Sequence, residues 1–213
     1  MGDQPGPSLQ QVLLVASGLY HPGPLLRARL ARLVRSLSAR RVTSVWLSDA
    51  PRAVRTTTPQ VIIAFFHAAA DKPRIVGLLE EHVRQGGTLI AVHGPLASFK
   101  GNETWEQLLG VRFSGHGPVH PLAVVPTPRG RRDGVALGET AIVDEQYRFI
   151  PVADTTVLAT ADGGGNPSPA FWVRESGEGR VICLALGHHR RAVGSRVFRE
   201  LLGHALRLAG ASR

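Results

Sequence analysis

The sequence predicts an α/β fold: a parallel sheet with helices on both faces, interrupted by an antiparallel excursion over about 95–179. Three observations predict it. Short, continuously apolar runs alternate with stretches whose apolar residues recur at helical spacing, as expected of parallel strands buried on both faces. From about residue 95 this rhythm gives way to short strand-like pieces separated by turn residues. A last apolar run, near the C-terminus, is again followed by a helical pattern.

The elements follow in order. Residues 1–10, rich in Gly, Pro and Gln, read as a flexible lead-in, and 11–213 as one domain. "VLLVAS" (12–17) is the first strand. A helix starts at about Pro24, where proline suits a first turn, and spaces Leu26, Leu30, Leu33 and Leu37 along one face. "VTSVWL" (42–47) is a second strand, and "SDAPRAVRTTTP" reads as a polar loop. "QVIIAFF" (60–66) is the third strand. The helix over 73–85 presents Ile75, Leu79 and Val83, and Gly86-Gly87 supplies its C-terminal cap. "TLIAV" (88–92) is the fourth strand. Within the excursion, "ETWEQLLG" is a short helix, and "LAVV", "TAIV", "YRFI", "TTVLATA" and "AFWV" are strand pieces of a meander near one sheet edge. "PTPRGRRDG" and "DGGGNPSP" read as surface loops. "GRVICLAL" returns as a core strand and a helix over about 195–208 closes the chain.

Composition excludes several classes. At 213 residues, 43% hydrophobic and 19% charged, the chain can bury one sizeable core. No apolar run reaches the ~18 residues of a spanning helix, and no secretory signal is visible, so neither a membrane nor export is expected. The single cysteine, Cys183, fits a reducing cytoplasm. The net charge of +9 invites nucleic acid. The arginines are dispersed, however, and no aromatic residues interleave with them as stacking platforms, so no nucleic-acid partner is expected.

Four of the nine histidines follow strands: His21, His67, His93 and His188. In an open parallel sheet the carboxyl ends of all strands share one edge, where such folds bind ligands. Residues more than 160 apart in sequence thereby reach a common cleft. His116 and Glu145 enter from the excursion. The cluster could hold zinc or another divalent ion, act as general acid and base, or hydrogen-bond a polyol; each histidine could also simply cap a strand end. Val92-His93-Gly94 has the form of a nucleophile elbow with no Ser or Cys at its tip, and Cys183 lies mid-strand. "DGGGNP" precedes no helix and is no phosphate loop. Covalent catalysis is disfavoured and no nucleotide cofactor is expected.

The ordered motifs "GGTLIAVHG", "WEQLLGVRFSGH", "DEQYRF", "PAFWV", "GEGRVICLALGHH" and "FRELLGHALRLA" resemble the ThuA-like, or trehalose-utilisation, family. "GLYHP" matches more loosely near the start. The resemblance implies a flavodoxin-like core, similar to class I glutamine amidotransferases but without their catalytic cysteine. It also implies a role in carbohydrate metabolism, with members acting beside sugar dehydrogenases on keto-sugars. The family's matching residues fall on His93, His116, Glu145, Tyr147 and His188. Many members carry a further His-Pro pair before the Asp-Glu motif; here that region, "PTPRGRRDGVALGE", has no histidine.

The expected function is therefore an enzyme acting on a small sugar-like substrate by isomerisation, elimination or hydrolysis. Glu145 would be the base, with His93, His188 and His116 as partners. Tyr147 and Arg148 would orient hydroxyls, with His21 and His67 as further substrate contacts. A divalent metal, zinc first, would sit among His93, His116 and His188. The alternative is a non-catalytic carbohydrate-binding or scaffold protein. The apolar edge of the excursion is the expected place for a homodimer contact.

Overall fold

The computed structural model describes residues 11–17, 24–38 and 40–210. Its first half alternates strands with helices. These are β1 (Gln11–Ser17), α1 (Pro24–Leu37), β2 (Arg41–Val45), α2 (Ala50–Thr57), β3 (Val61–Phe66), α3 (Pro73–Arg84) and β4 (Thr88–Val92). After α4 (Glu103–Leu109) come β5 (Val111–Pro126), the short α5 (Pro128–Arg132), β6 (Ala141–Pro151), β7 (Thr156–Asp162) and β8 (Ser168–Ser176). The chain closes with β9 (Gly179–Leu184), the short α6 (Arg190–Gly194) and α7 (Arg196–Leu208).

All nine strands form one sheet, in the order β2-β1-β3-β4-β9-β8-β7-β5-β6. The first five are parallel and the rest antiparallel. The parallel part has the 2-1-3-4-5 order of flavodoxin-like sheets. Its inner strands β1, β3 and β4 carry continuous apolar runs because both their faces are covered. Val12, Leu14, Ile63, Ile90 and Ile182 pack with Leu30 and Val34 of α1 and Phe198 and Leu201 of α7. Leu13, Ile62, Leu89 and Cys183 pack on the other side with Ala53 of α2, Leu79 and Val83 of α3, and Trp105 of α4.

Four expectations are corrected. The stretch read as a polar loop after the second strand holds α2; only Ala50 and Ala53 of it are buried, too small an apolar face to register in the pattern. The excursion does not sit beside an edge but continues the sheet outward from β9. Its short pieces are also fused: β5 runs 16 residues through "SGHGPVHP", and β6 runs 11 residues through "DEQ". The glycines and proline that read as breakers lie at irregularities inside a strand instead of at turns. Part of "PTPRGRRDG" is likewise the helix α5. The Gly86-Gly87 cap is as expected: Gly86 takes φ +98°, and the two N–H groups donate to Val83 and His82 carbonyls.

His82 and His204, both inside helices, are packing residues. The His82 ring lies against Gly87, and Nε2 of His204 is buried with no hydrogen-bond partner. Burial lowers the pKa of both below the ordinary 6.5, with Arg207 adding to the effect at His204. The unfolded chain therefore binds protons first as pH falls, so the stability from these neutral rings is complete above 6.5 and is lost below it. The melting midpoint should fall between pH 7.5 and 5.5, and His82→Gln with His204→Gln should flatten that fall. An equal slope in the double variant would exclude these rings as its cause.

Candidate active site

β4 runs directly into a strained turn. His93 has φ +55° and ψ −97°, a conformation rare for a residue with a side chain, and leads into a 3-10 turn over Gly94–Ala97. Such strain costs of order 1–3 kcal/mol and persists only where the surroundings impose it. Here they do. The His93 N–H donates to the Leu184 carbonyl at 2.8 Å, and its Nδ1–H donates to the Ala185 carbonyl at 2.8 Å. A side chain on Gly94 would collide with the Phe66 carbonyl, so only glycine lets β3 and the turn approach. Beyond it, the Ser98 hydroxyl donates to the Gly94 carbonyl and accepts the Ala68 N–H, while Trp105 Nε1 donates to the Pro95 carbonyl. The result is an elbow of the kind that presents nucleophiles in α/β hydrolases, with an imidazole at its tip.

Nδ1 carries the proton bound for Ala185, and Nε2 faces the Tyr147 hydroxyl at 2.9 Å. Tyr147 belongs to β6, which is five places from β4 in strand order. The two meet because β5 and β6 bend back. Their register shifts between Phe113 and Gly115, and again between His116 and Val119. Such bulges increase local twist and re-aim side chains, and His116 sits between the two. Phe113, His116, Tyr147 and Phe149 thereby form one aromatic face that ends on His93.

Glu145, two residues before Tyr147 on the same face of β6, is the centre of the cluster. One carboxylate oxygen lies 3.6 Å from His93 Nε2 and 3.2 Å from His188 Nδ1; the other lies 3.5 Å from His116 Nδ1. Side-chain exposure rises from 5% at His93 through 11% at Glu145 and 20% at His188 to 46% at His116. His116 is thus the rim. Its Nδ1 lies only 2.8 Å from the Gly117 carbonyl, so it is the loosest partner. Burial works to raise the Glu145 pKa. The hydrogen bond from His93 and the charges of His188, His93 and His116 outweigh burial, holding the carboxyl below its ordinary range. Burial, reinforced by Glu145 and Asp144, pushes the Tyr147 phenol well above its ordinary range, so it stays a proton donor.

Of the residues expected at the site, the fold gathers His93, His116, Glu145, Tyr147 and His188. His67 lies exposed at the end of β3 beside Gly94, outside the converging ligand atoms of His93, Glu145 and His188. Arg148 is exposed on the opposite face of β6, opposite Gly115, because alternate residues of a strand point to opposite sides; its charge acts on Asp162 instead. His21 lies outside the described residues.

The sequence reading passed over one residue of the cluster. Asp144 is completely buried, and its carboxylate accepts the N–H groups of Gly187 (2.7 Å), His188 (3.2 Å) and Glu145 (3.0 Å). It ties the loop after β9 to β6 and so sets His188 against Glu145. Its signal was the acidic neighbour in "DEQYRF", read only for its glutamate.

The sheet is of the flavodoxin type, and an imidazole stands at the tip of its elbow. The family model for ThuA, trehalose utilisation, matches residues 57–209, and the chain belongs to that family. Among solved structures, it is similar to a ThuA-like protein from Parabacteroides merdae at 15% identity and TM-score 0.81, over 96% of this chain and 91% of that one. A ThuA-like protein from Bacteroides uniformis follows at 16% identity and TM-score 0.73, over 98% and 94%. A cold-adapted β-galactosidase from Rahnella sp. R3 matches 97% of this chain with 32% of its own, at 12% identity and TM-score 0.69. At these identities the likeness is one of fold. No curated protein matches the sequence. Among the described residues, no helix is long and apolar enough to cross a membrane.

Proposed function

We propose that the chain is an enzyme that moves protons at a carbon beside a carbonyl in a small sugar-derived substrate, in an isomerisation or elimination. The observation that carries this reading is the convergence of three imidazoles, from three separate elements, on one buried carboxylate. Glu145 is ionised and 3.2 Å from His188, so it can take a proton from carbon while His188 shuttles one to or from oxygen. The Tyr147 phenol, kept protonated by its surroundings, can donate to the oxyanion that develops on the carbonyl oxygen.

The donor set also fits a divalent cation. The ligand atoms of His93, Glu145 and His188 all lie within 4.8 Å of one another. Their 3.6 and 3.2 Å separations bracket the roughly 3.4 Å edge of a tetrahedral site with zinc bonds of about 2.1 Å. The Nδ1–H of His93 on the Ala185 carbonyl is the outer-shell partner that orients a ligating imidazole. Zinc so held would polarise the substrate carbonyl.

The test is solvent-deuterium exchange, read by NMR, at the carbons beside the carbonyl in a panel of ketoses and keto-glycosides, with zinc content measured on untagged protein. The wild type should exchange at least one member of the panel, and Glu145→Gln should slow that exchange by at least about a hundredfold. Binding of the sugars without exchange would replace this reading with a carbohydrate-binding role. Equal exchange in the variant would remove Glu145 as the base.

A further inference from the structure

The parallel sheet contains a crevice that the histidine cluster does not use. From β1 the chain passes outward to β2, then returns past β1 to β3. Connections therefore leave β1 and β3 in opposite directions, and the carboxyl ends of that pair form the switch point where open α/β sheets take ligands. His93 and His188, at the ends of β4 and β9, lie farther along the edge. Two strand spacings, about 10 Å, separate the end of β1 from the end of β4.

At the switch point is a cavity of about 660 Å³, within the 300–1,000 Å³ range of small-molecule sites. Its walls include Trp46 and the apolar rings of Pro51 and Pro73. The Arg27 guanidinium lies 4.4 Å from the Trp46 ring centre and covers one of its faces, fixing the ring and making its surroundings positive. The polar side chains of the lining are Ser17, Ser48, Lys72 and Arg74; among the described residues no carboxylate or amide lines it. A neutral sugar needs acceptors for its many hydroxyl protons, and this lining offers almost none. It offers two cations and two hydroxyls to something rich in acceptors, beside an indole suited to stacking on a planar ring and apolar side chains around it.

We infer that this cavity is a mononucleotide site, with the heterocycle against Trp46 and the phosphate at Lys72 and Arg74. The chain has no glycine-rich phosphate loop, the feature whose absence argued against a nucleotide; here side-chain cations replace it. The site is separate from the proposed reaction centre and stands or falls without it.

The protein carries its own reporter. Trp46 is 39% exposed, while Trp105 and Trp172 are 1% and 0% exposed, so a ligand in this cavity changes Trp46 emission. Titration with adenosine 5′-monophosphate and flavin mononucleotide should quench that emission saturably. Lys72→Ala with Arg74→Ala, both at exposed positions, should raise Kd at least about tenfold, and Trp46→Phe should abolish the signal while calorimetry still detects weaker binding. His93→Ala should bind as the wild type does. Adenosine binding as tightly as its monophosphate, or inorganic phosphate binding as tightly as either nucleotide, would overturn the assignment. So would the absence of binding to both nucleotides at millimolar concentration, or binding lost in His93→Ala and kept in the double variant.

Discussion

Exchanging Asp144 for alanine should destabilise the protein by roughly 3–5 kcal/mol, because three backbone N–H groups lose their acceptor at once. None of them can turn to water, since the carboxylate they surround is completely buried. For a chain of this length, that change lowers the melting midpoint by about 10 °C. The loss is also local. Gly187 takes φ +121° and packs closely on Phe198 and His93, and the Asp144 carboxylate ties its N–H to β6. Without that tie, the His188 ring is no longer held at 3.2 Å from Glu145, and exchange activity and metal content should fall together. Asp144→Asn keeps one acceptor oxygen and should lie about midway. Chemical denaturation and the His188 ring resonances check both statements. A cost under 1 kcal/mol with an unmoved His188 resonance would mean that the loop is held by something other than this carboxylate.

How much of this was legible depended on whether the signal was local. β1, β3 and β4 could be bounded to within a residue because a continuous apolar run is stable only between two covering layers. α2 could not, since two alanines are its whole buried face. β5 was broken into pieces because Gly115, Gly117 and Pro118 are breakers in most settings; only the bent hairpin turns them into bulges. The same division runs through the site. His93 and His188 could be placed from strand ends alone, since topology brings parallel strand ends to one edge. His116 and Glu145 could be named only as arrivals from the excursion, and Tyr147 needed the family resemblance, because their placement depends on the irregular pairing of β5 and β6. Asp144 stood beside Glu145 in "DEQYRF", but nothing in the sequence marked its role: its partner Gly187 is 43 residues away, and a carboxylate on a backbone N–H has no characteristic spacing. Arg148 was an error that the period of two could have prevented, since a strand that turns Tyr147 inward must turn its neighbour out.

At the elbow, chemistry and backbone geometry oppose each other, and two substitutions separate them. His93→Ala and His93→Gly both delete the imidazole, so both should reduce proton exchange by about 10²–10⁴-fold. Both also leave the buried Tyr147 hydroxyl and Ala185 carbonyl without their partner, at about 1–3 kcal/mol for each group. They differ in the backbone. Alanine at φ +55° and ψ −97° keeps the strain of the native turn, whereas glycine is free of it. Glycine should therefore be the more stable replacement by about 1–2 kcal/mol, reversing its usual rank below alanine. Denaturant midpoints of the two variants measure that difference directly. Alanine as stable as glycine would mean that the turn relaxes once the ring is gone, so that the imidazole's own hydrogen bonds, and not Gly94 against Phe66, hold the elbow in shape. The predicted order means instead that the fold imposes the turn whatever residue occupies it. The native histidine then sits there at a cost to stability that its contacts with Tyr147 and Glu145 only partly offset, and its role is the chemistry at the tip.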